Sequence, residues 1–232
     1  FTQMAAEVTG ITEDKVNVLS TQDTDVSPFD TGAYASRQTY VSGMAVKKTG
    51  AIFKEKILDY AAYMLEKPQD TLDVRDNHIV DKETGTQLLP MEELATTAFY
   101  SLDRSVHITA EATSHCKTNT FATGACFAEV EVDMPLGKVK VTNIVNVHDS
   151  GKLINPKLAA AQVHGGMSMG LGYGLSEELL FDAKGRPLND NLLDYKLPTA
   201  MDTPDLNALF VELDDPTGPF GNKALGEPPA IP

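Results

Sequence analysis

From Asn155 to Gly174 the chain reads NPKLAAAQVHGGMSMGLGYG. Asn155 is a residue type that caps helix N-termini through its side-chain oxygen, and Pro156 suits the first helical position, where a missing N–H costs nothing. The pattern predicts a helix that opens at Pro156 and runs to about Leu180. Glycine in a helix interior is about 1 kcal/mol less favourable than alanine, yet Gly165, Gly166, Gly170, Gly172 and Gly174 all fall inside this segment. So many need a compensation, and the close approach of another backbone or of a ligand is the usual one. The run from Gly170 to Gly174 lacks the G-x-G-x-x-G spacing and does not sit between a strand and the start of a helix, so tight helix packing is preferred to a phosphate loop.

Outward from this helix the pattern changes to strands. Ala125 to Asp133 alternates Phe127, Val130 and Val132 with acidic residues, Pro135-Leu136-Gly137 makes a turn, and Val139 to Val145 follows, which predicts an antiparallel hairpin. Beyond the helix, Asp182-Ala183-Lys184-Gly185 is a turn, Leu209 to Leu213 reads as a strand, and the tail from Asp214 is loop-like. In the first half, Phe1 to Val8 reads as a helix stopped by Gly10, and Val16 to Leu19 as a short strand. A loop follows from Thr21 to Gly32. From about Ser36 to Lys67 apolar residues such as Ile57, Tyr60, Ala61 and Met64 recur at spacings of three and four, predicting a long helix that ends before Pro68. Thr71–Val74 and His78–Val80 read as a small hairpin, and Met91–Tyr100 as a helix opened by Pro90. The fold class expected is α+β, with long helices packed on short, mostly antiparallel strands and a subdivision near residues 120–150.

Composition narrows the function classes. Of 232 residues, 33 are acidic and 19 basic, giving a net charge of −14. That field repels nucleic-acid phosphates and anionic membrane surfaces, so neither is expected as a partner. No run approaches the roughly 18 apolar residues of a membrane span. Two cysteines, Cys116 and Cys126, are too few for a zinc site or an iron–sulfur cluster, and a reducing, cytoplasmic setting is the default. The chain opens on Phe1, inside a helix-like run, and a segment of a longer polypeptide is expected.

Most candidate chemistry dissolves on inspection. His78, His107, His115, His148 and His164 show no metal-ligand spacing, so no protein-derived metal site is expected and most histidines read as surface or core residues. His115-Cys116 has no orienting third partner for a thiolate–imidazole pair, and Asp23-Thr24-Asp25 lacks the rest of a calcium loop. Two features stand out. Gly32 to Thr39 carries a glycine-bearing loop into the start of the longest helix, where unpaired N–H groups favour an anion; the plainer reading makes Ser36 an N-cap. Gly226-Glu227-Pro228-Pro229 holds a carboxylate in a rigid loop, which suits a general base as well as a solvated Glu.

Taken together, several segments resemble the molybdenum hydroxylases, the xanthine dehydrogenase and aldehyde oxidase family. They are Ala35-Ser36-Arg37, Gly43-Met44-Ala45-Val46, Asp149-Ser150-Gly151, Ile154-Asn155-Pro156, Gln162-Val163-His164-Gly165-Gly166, Gly170-Leu171-Gly172, Glu177-Glu178, Tyr195-Lys196-Leu197-Pro198 and Lys223-Ala224-Leu225-Gly226-Glu227-Pro228-Pro229, in family order over essentially the whole chain. The resemblance implies a molybdopterin-binding domain in which a pterin dithiolene, in the cytosine dinucleotide form, holds molybdenum. It implies that Glu227 is the catalytic base, that Gln162 contacts the cofactor, and that Ala35, Ser36, Arg37, Gln38 and Thr39 grip the pterin. The activity implied is hydroxylation of an N-heterocycle of purine or nicotinate type, or of an aldehyde, with water as oxygen source. Electrons would leave through 2Fe-2S clusters and FAD on partner chains or domains. The family's glycine–glutamine–glycine loop and substrate-pocket residues do not occur here, so the rest of the molybdenum domain is also expected as a partner and the active site of this chain as incomplete. Two other readings stay open: reductive dehydroxylation of an aromatic acyl-CoA, and a structural subunit of such a complex.

Overall fold

The computed structural model describes residues 1–21, 23–27 and 29–230. The chain divides into two units, one made of Phe1–Gly32 with Gln38–Lys117, the other of Ala33–Arg37 with the residues from Thr118 onward.

In the first unit, α1 spans Thr2–Thr9 and ends where Gly10, at φ 78°, returns its N–H to the Ala6 carbonyl. Helix α2 spans Gln38–Leu65 and α3 spans Met91–Tyr100. Strands β1 (Leu72–Arg75), β2 (His78–Asp81) and β3 (Gln87–Pro90) form an antiparallel sheet in sequence order. Ile57, Tyr60 and Ala61, on one stripe of α2, pack with Leu72, Val74, Ile79, Leu89, Leu94 and Ala98 into the core of this unit. The spacings of three and four that predict the helix are those that make that stripe.

In the second unit, β4 (Thr123–Asp133) and β5 (Lys138–Asp149) form a long antiparallel hairpin. Helix α4 spans Pro156–Leu175, and β6 (Asp205–Phe210) returns to lie parallel to β5. The β5–α4–β6 run is thus a β-α-β crossover, with Val163, Met167 and Leu171 of α4 packed on Ile144 of β5. As the α+β class requires, helices lie on small sheets, and among the described residues three of the four pairings between strands are antiparallel.

Several boundaries differ from the sequence reading. Val16–Leu19 is irregular and Leu19 is 94% exposed, because no strand among the described residues pairs with it. Helix α2 starts at Gln38, not Ser36, since Ala35 and Ser36 both adopt left-handed backbone at φ 50° and 53°. Helix α4 ends at Leu175, ahead of Leu180, where Ser176 and Glu177 both donate to the Gly172 carbonyl. The last strand is Asp205–Phe210, earlier than Leu209–Leu213, because its register is set by pairing of Asn143–His148 with it. Strand β3 is not among the strands that the sequence pattern predicts.

Candidate functional site

On the buried face of β5 the residues at period two are Ile144, Asn146, His148 and, just past the strand, Ser150. The apolar core position Ile144 thus gives way to three buried polar residues as the strand approaches the segment Gly221–Pro229. That segment is fastened to the end of β5. Lys152 donates its N–H to Gly221 (2.9 Å) and Lys223 donates its own to the Ser150 carbonyl (2.7 Å). The Asn222 side-chain amide donates to the carbonyls of Lys152 (2.9 Å) and Ser150 (3.4 Å). Lys223 Nζ meets Asp149 Oδ2 at 2.7 Å, both side chains being mostly buried. Burial pushes the Asp149 carboxyl up, but the hydrogen bond from Lys223, the Gly151 N–H and the Lys223 charge outweigh it and hold the group below its ordinary value.

Two further bonds grip the carbonyls just ahead of Glu227. His148 Nε2 lies 2.7 Å from the Leu225 oxygen, and Ser36 Oγ donates to the Gly226 oxygen at 2.9 Å. A carbonyl only accepts, so His148 carries its proton on Nε2; burial depresses its pKa and favours the neutral ring. Gly226 sits at φ 73°, with Pro228 Cδ 3.0 Å from where a Cβ would stand, so no other residue fits the bend without strain. Beyond Glu227 the loop packs on α4. A Cβ on Gly166 would stand 2.6 Å from Pro229 Cβ, so the absent side chain is what admits the loop. Along α4 the helix is therefore tight at Gly166, whereas a Cβ on Gly165 or Gly174 would meet no described atom within 4 Å.

The site residues expected from sequence fall as follows. Ala35 is exposed and Ser36 half-buried in the left-handed turn, and the Arg37 guanidinium lies over the Tyr34 ring at 5.0 Å. Gln38 and Thr39 form the first turn of α2 in the other unit, a turn without acidic residues. Gln162 is exposed on α4, four residues before Gly166 and so on the same face of the helix. Glu227 is exposed. Within the second unit the structure joins Ser36 to the residue preceding Glu227. Ser36 is not the helix cap of the plainer reading, because its hydroxyl donates to Gly226 and α2 opens two residues later. His148, Asn222 and the Asp149–Lys223 pair escaped the sequence reading as supports of this loop. The visible signal for His148 is the polar period-two run Asn146, His148, Ser150 continuing an apolar strand.

Chemically, the arrangement offers an exposed carboxylate on a backbone fixed at several points, an exposed amide at Gln162, and a left-handed turn with an exposed alanine. Among the described residues, no three or more His, Cys, Asp or Glu side chains are grouped to hold a metal ion. No described helix is long and apolar enough to cross a membrane.

The sequence model of the molybdopterin cofactor-binding domain matches residues 1–204. The chain is 47% identical over 234 residues to the xanthine dehydrogenase molybdenum-binding subunit of Escherichia coli O157:H7, covering 100% of this chain and 31% of that one. It is 29% identical over 233 residues to the carbon monoxide dehydrogenase large chain of Hydrogenophaga pseudoflava, covering 100% of this chain and 29% of that one. The crystal structure of quinoline 2-oxidoreductase from Pseudomonas putida 86 superposes with a TM-score of 0.89 at 27% identity, over 99% of this chain and 30% of that one. The chain thus spans less than a third of the length of these relatives.

Proposed function

The chain belongs to the molybdopterin cofactor-binding domain family, and from that premise we propose that it forms part of a molybdenum hydroxylase that oxidises a C–H bond of an N-heterocycle or aldehyde with water as oxygen source. We place the 2Fe-2S clusters and FAD that carry electrons away on partner chains or domains, and take the cytosine dinucleotide as the pterin form.

The residues present suit a pterin dinucleotide. Two consecutive non-glycine residues in left-handed conformation, Ala35 and Ser36, are costly at about 1–3 kcal/mol each and persist where surrounding structure or a ligand requires them. The turn leaves Ala35 exposed and spends the Arg37 N–H on the Tyr34 carbonyl at 3.1 Å, and a small exposed side chain on a fixed backbone suits the approach of a flat ligand. No protein ligand cluster is needed, because the dithiolene holds the metal. When bound, the group supplies the two-electron redox chemistry and the activation of water.

The protein's share follows from its own groups. Ala35, Ser36 and Arg37 hold the pterin, with Gln38 and Thr39 opening α2. Gln162 orients the bound group through its exposed amide. Glu227 accepts a proton at its carboxylate, a step typically worth about 10²–10⁴-fold. The observation that supports this reading is the Ser36–Gly226 hydrogen bond of 2.9 Å, which spans 190 residues of sequence and joins the Ala35–Arg37 turn to the loop that carries Glu227.

The test is Glu227→Gln in the cofactor-loaded enzyme. Glutamine keeps size and a hydrogen-bonding oxygen but accepts no proton at neutral pH, so molybdenum content should persist while the substrate-driven reduction rate per molybdenum falls at least about 10²-fold. A rate close to wild type removes Glu227 from the mechanism.

A further inference from the structure

We propose that His148 is a positioning residue for Glu227: by holding the Leu225 carbonyl from within the core it fixes the direction in which the loop presents its carboxylate. The proposal rests on Glu227 being the base.

The Glu227 side chain is exposed among the described residues, so what this chain contributes to its direction comes through the backbone. Downstream, the Glu227 carbonyl accepts from the Ala230 N–H at 3.0 Å, closing a turn that contains Pro228 and Pro229, whose rings fix φ. Upstream, Gly226 is the most permissive residue type, and its left-handed bend converts any drift of Leu225 into a swing of Glu227. The Leu225 and Gly226 carbonyls are the two handles on that bend. Ser36 holds the second from a half-buried turn. His148 holds the first at 2.7 Å from a position with no solvent exposure, on a strand paired along both edges. It is the more rigid of the two supports.

Histidine is otherwise a poor occupant of that position. With Nε2–H donating to Leu225, Nδ1 is left as an acceptor without a partner among the described residues, and so is Asn146 Oδ1. Both lie within 4 Å of the place a Gly124 Cβ would take, and two acceptors do not satisfy each other. A buried unpaired acceptor is unfavourable, and a leucine would fill the same face without one. What the imidazole supplies and an aliphatic residue does not is the donor on Leu225. The flanking Asp149–Lys223 pair anchors the start of the loop, two residues further from Glu227, and leaves the bend itself to His148 and Ser36.

The experiment is a double-mutant cycle in the cofactor-loaded enzyme, using His148→Leu, His148→Gln, Glu227→Gln and the combination of His148→Leu with Glu227→Gln. The reduction rate is read per molybdenum, and hydrogen exchange is read at the Lys223 and Ala230 amides. His148→Leu should slow reduction at least about 10-fold when Glu227 is present but less than about 2-fold in the Glu227→Gln background, because a residue acting through another loses its effect when that other is gone. It should also speed exchange at both amides. His148→Gln, whose amide nitrogen reaches the place of Nε2, should restore both. If His148→Leu does not fold, His148→Asn, one methylene too short to reach Leu225, takes its place. Equal rate losses in both backgrounds, or exchange unchanged by His148→Leu, overturn the positioning role while leaving Glu227 as base. Full turnover in Glu227→Gln alone overturns the assignment of the base and, with it, any catalytic role for His148.

Discussion

Gly165 and Gly166 are consecutive residues of α4, and alanine substitution should act on them in opposite directions. A helix interior gains about 1 kcal/mol from glycine to alanine at either position. At Gly165 the new methyl meets no described atom within 4 Å, so within this chain that gain stands alone. At Gly166 it would lie 2.6 Å from Pro229 Cβ, 2.9 Å from the Pro229 carbonyl carbon and 3.2 Å from the Ala230 nitrogen. Carbon atoms rest at about 3.5–4.0 Å, so the Pro229–Ala230 backbone has to retreat by about 1 Å. Overpacking of this kind costs about 1–3 kcal/mol. The two variants should therefore differ by that amount, with Gly165→Ala more stable than wild type and Gly166→Ala near wild type or below it. Urea denaturation reads the difference directly, since each kcal/mol moves the midpoint by roughly 0.3–1 M. Activity should separate them further. Glu227 lies two residues before Pro229, and a displacement of about 1 Å in a reacting group is worth up to about 10²-fold. Gly166→Ala should lose rate per molybdenum far beyond its loss of stability, whereas Gly165→Ala keeps full rate. Equal midpoint shifts of the same sign in the two variants would refute the claim that Gly166 is the seat of the loop.

Ser36→Ala removes one neutral hydrogen bond to Gly226, worth about 1 kcal/mol, and should retain molybdenum, whereas Ser36→Phe should lose it; full metal content by elemental analysis in the Phe variant would exclude this turn from the cofactor site. Asp149→Ala leaves Lys223 charged in a mostly buried place and should cost about 3–5 kcal/mol in denaturation. The Asp149 carboxyl is held below its ordinary value of 3.8, so the pair's contribution is complete above that value and disappears as pH falls through the lower value of the folded state. Wild type should thus lose stability in that acid range more steeply than Asp149→Ala, and parallel pH curves would contradict the assignment.

Much of the fold was legible because its signals are local. The stripe Ile57, Tyr60, Ala61 marks α2 by spacing, Asn155-Pro156 marks the start of α4, and the Asn155 side chain does accept the Leu158 N–H at 3.0 Å. Gly10 ends α1 as a left-handed cap. The errors fall where pairing decides. Val16–Leu19 has strand-forming residues without a neighbour, and the last strand shifted to Asp205–Phe210 because its partner on β5 sets the register. Propensity describes what a segment tolerates; a ladder needs a second segment, and that is a long-range choice.

The loop around Glu227 shows the same division. By itself the sequence determined that a rigid Gly-Glu-Pro-Pro segment exists, that a helix rich in glycine precedes it, and that Ala35–Thr39 leads into a long helix, since each follows from residue type and spacing within a few positions. Only the tertiary structure decided that Pro229 seats on Gly166 and not on Gly165, that Ser36 bonds to Gly226 across 190 residues, and that a histidine in the core holds Leu225. These contacts join segments far apart in the chain, and periodicity carries no information about which distant carbonyl a buried donor will meet.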